Sequence, residues 1–477
     1  MSQLHEKIKD LISRAAENTS WRRRECVNLI PSESTPSLLV KLAEICDPSG
    51  RYAEHRTMKG REVYFYQGIE FIRAVEEEAR AEICSYFGAE RAEIRPISGQ
   101  MANEIVFKAV VKLVNRRSPD GAFRRLRLVM NNDLKKGGHL SSQPMGALFN
   151  FVDQDASTGR EAVLNFPILE DNPYRTDAAR MTELILEKKP ELIVFGKSMF
   201  LHPEPVAEAR KAAAALDPPP VILYDMAHVL GLYGAFQSPL QEGADIVTGS
   251  THKTFFGPQR GVIVSNLEAG GESGRLWIEI KGRAFPGSTS NHHLGTLLAL
   301  LLASYEMNAF KEPYQTQVLA NARAFAKALH AAGLRVEGDP ADGFTRTHQV
   351  IVRVIEWGSG EEIAQRLEDS NIICNYQALP DDESFLQSSG IRLGVQEMTR
   401  FGMREPDFET LAALMADVVL RGKDVKAEAA RLRGRFLAMR YCLPPDEAAP
   451  LAARLLASVV SEKDLMGYLI RRLEEPA

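Results

Sequence analysis

Cysteine is scarce in this chain and shows no pairing pattern. Cys26, Cys46, Cys84, Cys374 and Cys442 are odd in number and have no CxxC spacing. That speaks against a disulfide framework or a thiolate zinc site and for a reducing compartment. Long apolar runs are missing as well. No segment approaches the roughly 18 residues that suggest a membrane span. The amino terminus, MSQLHEKIKDLISRAAENTSW, has an amphipathic helix pattern without the apolar centre of a secretory signal. Nor does one sign of charge dominate: 58 basic against 63 acidic residues leave a net charge of −5. Such a chain has no general pull towards nucleic acid or anionic membrane. Arg22, Arg23 and Arg24 form one basic cluster, read as a solvated segment near a helix end. Repeats and low-complexity tracts are absent. These absences predict a cytoplasmic protein with no nucleic-acid partner, no membrane partner and no metal site.

What is present is a globular composition, 45% hydrophobic and 25% charged over 477 residues, too long for one ordinary core. Leu4, Ile8, Leu11 and Ile12 share a face of a leading helix over residues 1–18. A helix through Ile69, Ile72, Val75, Ala79 and Ile83 stops at Gly88. Short apolar runs follow at 126–130, 192–195, 221–224, 246–247 and 262–264. Their near-continuous apolarity predicts strands buried on both faces of a mostly parallel sheet. Beyond Pro313, read as a break, come a helix over 315–334, a half-buried strand through Val350, Val352 and Val354, and a helix over 408–420. The predicted organisation is an N-terminal helical arm (1–30), a large α/β domain (31–312) and a smaller α+β domain (313–477) with helical final residues.

Two segments carry the chemistry. Thr251-His252-Lys253-Thr254 follows a predicted buried strand and offers an amine sheltered from water, a setting that lowers a lysine's pKa and makes it nucleophilic. Asp225-Met226-Ala227-His228 sits at the carboxyl end of the strand before it, where open α/β sheets bind ligands. Pyridoxal phosphate needs a lysine for its aldehyde, an acid for its pyridinium nitrogen and groups around its ring. Ser98-Gly99-Gln100 opens a helix, so free amides and the helix dipole there favour a phosphate. Gly137-Gly138-His139 is a close-approach turn followed by an imidazole suited to stacking on a flat ring. Arg392, between apolar residues in SGIRLG, calls for a carboxylate, from an α-amino acid substrate or from an inter-domain ion pair.

In chain order, LIPSES, RYAE, ISGQMAN, GGHL, DMAHVLGL, THKTFFGPQRG and SGIRLG resemble segments of the serine hydroxymethyltransferases, fold-type I pyridoxal phosphate enzymes. The resemblance spans about residues 20–420. It implies a large domain with a mostly parallel central sheet flanked by helices, and a smaller C-terminal α+β domain. It also implies that Lys253 forms the Schiff base, Asp225 holds the ring nitrogen, His139 stacks on the ring, and His228 and Ser198 approach the ring hydroxyl. Ser98, Gly99, Gln100 and His252 would line the phosphate. Arg392 and Ser32 would bind the substrate carboxylate. Tyr52, Glu54 and Tyr66 match positions that help build a site shared between subunits, which implies a homodimer, with a tetramer possible. Glu54 is the candidate proton-handling carboxyl, with a pKa that would have to be raised to act near neutrality.

The chain departs from the family pattern in four places. The segment HRTMKGREVYF after Glu54 is longer than the usual link. Ser288 to His293 replaces a glycine-rich loop. Val395-Gln396-Glu397 replaces Thr-Pro-Ala. GPQRG puts Gln259 at the family's arginine position and Arg260 one place late, leaving open whether Arg260 takes over. These features resemble a divergent branch that includes threonine transaldolases. The expected reaction is folate-independent aldol cleavage or transfer on β-hydroxy-α-amino acids, with an aldehyde as the second partner. The alternatives are tetrahydrofolate-dependent serine hydroxymethyl transfer and a non-catalytic dimeric binding relative.

Overall fold

The computed structural model describes residues 2–117, 122–384, 387–460, 467, 468 and 471. Seven strands form the main sheet, in spatial order Arg91–Glu93, Gly261–Ser265, Ile246–Ser250, Val221–Asp225, Leu192–Phe195, Val129–Asn131 and Val163–Asn165. The last five run parallel, and Gly261–Ser265 is antiparallel to both its neighbours. Successive side chains point to opposite faces, so the central strands, buried throughout, feed two cores. Ile193, Phe195, Ile222, Tyr224 and Val247 face one apolar layer. Leu192, Val194, Leu223 and Ile246 face the other, against the helix Gly99–Arg116. A strand covered on both faces must be apolar throughout, which is why these runs read as continuous.

A second, antiparallel sheet takes the order Arg335–Val336, Gln349–Arg353, Gly390–Gly394 and Asn375–Gln377. The expected half-buried strand at 350–354 is instead buried on both faces. Val350 and Val352 pack into the main core, while Ile351 is covered by Tyr174, Met199, Leu201 and Leu379. The chain's beginning joins this region: Val27–Asn28 pairs in parallel with Ile372–Ile373.

Helices Leu294–Ala309 and Lys311–Ala331 are separated by Phe310 alone. Pro313 therefore does not mark a break. It sits in the first turn of the second helix, where a missing N–H costs nothing. Helix Glu70–Phe87 ends at Gly88 in the left-handed conformation (φ 57°), as its sequence predicts. The leading helix runs over Ser2–Arg24, and Leu4, Ile8, Leu11 and Ile12 are each more than half exposed. Helices Lys426–Gly434 and Pro445–Val459 follow the second sheet, and most of residues 461–477 lie outside the described residues. Among the described residues, no helix is long and apolar enough to cross a membrane.

Candidate active site

The parallel strands end at one edge, and the predicted residues collect there. Leu192–Phe195 leads to Ser198, Val221–Asp225 ends on the aspartate, and Ile246–Ser250 leads to His252 and Lys253. The Gly137–His139 turn is sewn onto this edge: the His139 amide donates to Gly196 O (2.9 Å) and the Ser198 amide to Gly137 O (2.8 Å). Gly196 is required by space, since a Cβ there would lie 2.9 Å from that of Asp225.

Asp225 is 1% exposed. Its Oδ2 accepts from His139 Nδ1 (2.5 Å) and Asn103 Nδ2 (2.7 Å), and its Oδ1 from the Ala227 amide (2.9 Å). Burial alone would raise its pKa, but the His139 charge and these hydrogen bonds outweigh it and hold the carboxyl below the usual range. Asn103 was missed in the sequence. It is a polar residue in the middle of a buried apolar helix face, and that mismatch was the available signal. Thr248 Oγ1 donates to its Oδ1 (2.5 Å), which turns its amide nitrogen towards Asp225.

Lys253 is 8% exposed and makes no hydrogen bond or ion pair among the described residues. Burial pulls its amine down to about 8, opposed by Asp225 and assisted by Arg392. The loop that presents it is pinned on both sides. Thr251 Oγ1 donates to Pro258 O (2.6 Å), and Thr254 Oγ1 donates to His228 O (3.1 Å). Lys253, His252, His228, Ser198, Gly137, Gly138, Ser32 and Arg392 line one cavity of about 1370 Å³. Nδ1 of His228 and Nδ1 of His252 are buried without a hydrogen-bond partner among the described residues. Burial first, and the nearby Lys253 charge second, pushes both imidazoles down, His252 to about 4.

Arg392 stands on Gly390–Gly394, buried. Its Nη1 donates to Ser198 O (2.7 Å) and its Nε to Asn375 Oδ1 (3.3 Å). Burial lowers its pKa to about 10. No carboxylate pairs with it among the described residues, so the ion-pair reading of this arginine is not what the fold shows. A guanidinium so placed is ready for a ligand's carboxylate.

Ser98 caps the helix Gly99–Arg116, its Oγ accepting from the Met101 amide (3.1 Å). A Cβ on Gly99 would lie 2.2 Å from Ser250 Oγ. The helix start, with Gln100 exposed, therefore abuts the strand that leads to Lys253. Tyr52, Glu54 and Tyr66 are elsewhere. They do not line the cavity of their own chain. Tyr52 and Tyr66 are 49% and 40% exposed, with ring centroids 5.3 Å apart. Partial desolvation, then the Glu54 charge, raises the Tyr66 phenol. The longer segment after Glu54 is a β-hairpin, His55–Met58 paired with Arg61–Tyr64, turned by Lys59 and Gly60 at positive φ. Gln259 lines the cavity. Arg260 does not: it is wholly buried behind it, bonded to His292, His293, Thr296 and Ile94.

The family model described as serine hydroxymethyltransferase matches residues 2–415. This chain belongs to the serine hydroxymethyltransferase family. It is 38% identical over 444 residues to the serine hydroxymethyltransferase of Pyrobaculum islandicum, covering 92% of this chain and 95% of that one. It is 34% identical over 467 residues to that of Sulfolobus acidocaldarius, covering 96% and 100%. Among solved structures it resembles the L-threonine transaldolase from Pseudomonas fluorescens in its internal aldimine state, with TM-score 0.78 and 27% identity over 94% of this chain and 98% of that one. The fold is that of the fold-type I enzymes. The protein is a pyridoxal-phosphate-dependent enzyme of the transferase and aldolase type. Its own residues fit that cofactor. A buried amine and two imidazoles whose Nδ1 atoms have no partner among the described residues line one cavity, and the buried Asp225 carboxylate, bonded to His139, acts on that amine from outside the lining.

Proposed function

We propose that this enzyme breaks and forms the Cα–Cβ bond of β-hydroxy-α-amino acids without folate, releasing or adding an aldehyde. The observation that carries the reading is Arg392, a buried guanidinium that lines the same cavity as the Lys253 amine, neither having an acid partner among the described residues. Lys253 would hold pyridoxal phosphate, Asp225 its ring nitrogen, His139 its face, His228 and Ser198 its hydroxyl side, and the Ser98–Gln100 helix start with His252 its phosphate. Bound there, the cofactor supplies the electron sink that Cα–Cβ cleavage needs. Arg392 and Ser32 would bind the substrate carboxylate and so fix which bond is broken. The β-hydroxyl proton would pass to Glu54 as the aldehyde leaves, and a proton or a second aldehyde would then be taken up at Cα.

Tyr52, Glu54 and Tyr66 lie on the outside of their own chain, which supports their serving a partner's cavity in a homodimer. The hairpin beside them and the large side chains at 288–293 support an acceptor site reshaped away from folate. The transaldolase neighbour is in line with that reading. Tetrahydrofolate-dependent transfer from serine is the second reading, favoured by the 38% identity to enzymes named serine hydroxymethyltransferase. Steady-state assays separate the two. Acetaldehyde release from L-threonine without folate is the expected result. Turnover of serine only when tetrahydrofolate is present would overturn it.

A further inference from the structure

Two of the four departures from the family pattern meet at one buried carboxylate, and a third reaches it through His292. Glu76, on helix Glu70–Phe87, is wholly buried. Its Oε1 accepts from His292 Nε2 (2.7 Å), and its Oε2 accepts from Arg80 Nη2 (3.1 Å) and lies 3.4 Å from His55 Nε2. His55 opens the inserted hairpin. His292 belongs to the turn that replaces the glycine-rich loop. Arg260, the displaced arginine, donates from Nη2 to His292 Nδ1 (3.0 Å) and from Nη1 to His292 O (2.5 Å) and His293 O (3.0 Å). A guanidinium only donates, so Nδ1 of His292 is the acceptor and its Nε2 carries the hydrogen given to Glu76. Arg260 also stays bonded to Thr251, its amide donating to Thr251 Oγ1 (3.1 Å), two residues before Lys253.

Elsewhere the hairpin is tied only by exposed contacts among the described residues, Lys281 Nζ donating to Thr57 Oγ1 (3.2 Å) and lying 3.4 Å from Glu62 Oε1. Of its eight strand residues only His55 is buried, and an isolated two-stranded hairpin is marginal in water. His55 Nδ1 lies 3.1 Å from Ala53 O, its Nε2 also faces Glu62 (3.1 Å), and its ring stacks on Tyr64 at 4.5 Å. Glu54 is the neighbouring residue, and its carbonyl accepts from the Phe65 amide (3.0 Å) to close the hairpin's base. None of Glu76, His55 or His292 lines the main cavity.

We propose that Glu76 is a positioning residue that ties the hairpin, and with it Glu54, to the 288–293 turn and through Arg260 to the loop presenting Lys253. Its effect on turnover rests on the role proposed above for Glu54. The test is Glu76→Gln in the holoenzyme, read by hydrogen-exchange mass spectrometry and steady-state kinetics. Exchange should rise about tenfold in both segments 55–65 and 286–296 while the strand 192–195 is unchanged. For L-threonine cleavage, kcat should fall about tenfold with KM within about twofold. His55→Ala, which keeps the His292 and Arg80 bonds to Glu76, should loosen 55–65 alone and give the same split. Unchanged exchange in either segment of Glu76→Gln overturns the proposal, as does an equal rise across the central sheet. Unchanged kcat in both variants also overturns it when Glu54→Gln is itself impaired. If Glu54→Gln turns over normally, the reading of Glu54 falls, and the tie is decided by exchange alone.

Discussion

Lys253 is 8% exposed and Asp225 1%, whereas Tyr52 is 49% and Tyr66 40% exposed. The first pair stands at strand ends, with cores on both sides of the sheet and a pinned loop between them. The second flanks a hairpin whose one buried strand residue is His55, its other ties being exposed bonds from Lys281. Burial at the strand ends is what makes chemistry there. It brings the lysine amine near neutrality, and it sets Arg392 on neutral oxygens of Ser198 and Asn375 with no acid partner among the described residues. The rim has no such means. Its groups are solvated, and they acquire a reactive setting only when something else covers them. On the function proposed above, electron-sink chemistry belongs to the floor of the pocket, and the choice of aldehyde to this outer region when a partner covers it.

Substitutions can break this contrast or sharpen it. Lys253→Ala should have the largest effect, a loss of about 10⁴-fold or more in kcat, with the cofactor's protein-bound absorbance abolished. Retained turnover would move the chemistry off the floor. Arg392→Lys keeps the charge but loses the planar fork, and should cost about 100-fold in kcat/KM for the amino acid, near 2.7 kcal/mol. An unchanged KM would mean that the carboxylate binds elsewhere.

The pH dependence of cofactor uptake by the apoenzyme reports the floor directly. The Lys253 amine attacks only when unprotonated, and its pKa is lowered to about 8. Uptake should therefore fall about tenfold per pH unit below 8 and level off above it. A rise continuing towards the ordinary lysine value would place the amine in water. The smallest effect is expected at the rim. Replacing residues 56–63 with a short glycine link should leave exchange of the glycine α-proton within about threefold while changing which aldehydes are accepted. A collapse of that exchange would merge the two regions into one.

Legibility followed the same division. Leu192–Phe195 appears with the bounds its apolar run predicts, because a strand covered on both faces advertises itself without help from other parts of the chain. Lys253 and Asp225 beside strand ends, and Arg392 inside a strand, stood out in the sequence because such groups are expensive to bury without a purpose. Ile351 misled the reading, since the cover on its face comes from Tyr174, Met199 and Leu201, far away in the chain. Glu76 gave no signal at all. In a helix rich in glutamate it looks like one more solvated acid, and only the approach of His55, His292 and Arg80 makes it the centre of a network.

Residue identity and local spacing by themselves determined the four central strands between Leu192 and Ser265 and the burial of Lys253 and Asp225 beside their ends, because burial periodicity and turn chemistry are written within a few residues. Only the tertiary structure decided that Arg392 has no acid partner, that Arg260 turns away from the cavity, and that the inserted segment is a hairpin moored to a distant turn. Those outcomes depend on which surfaces meet across the chain, and that depends on the packing of the whole fold.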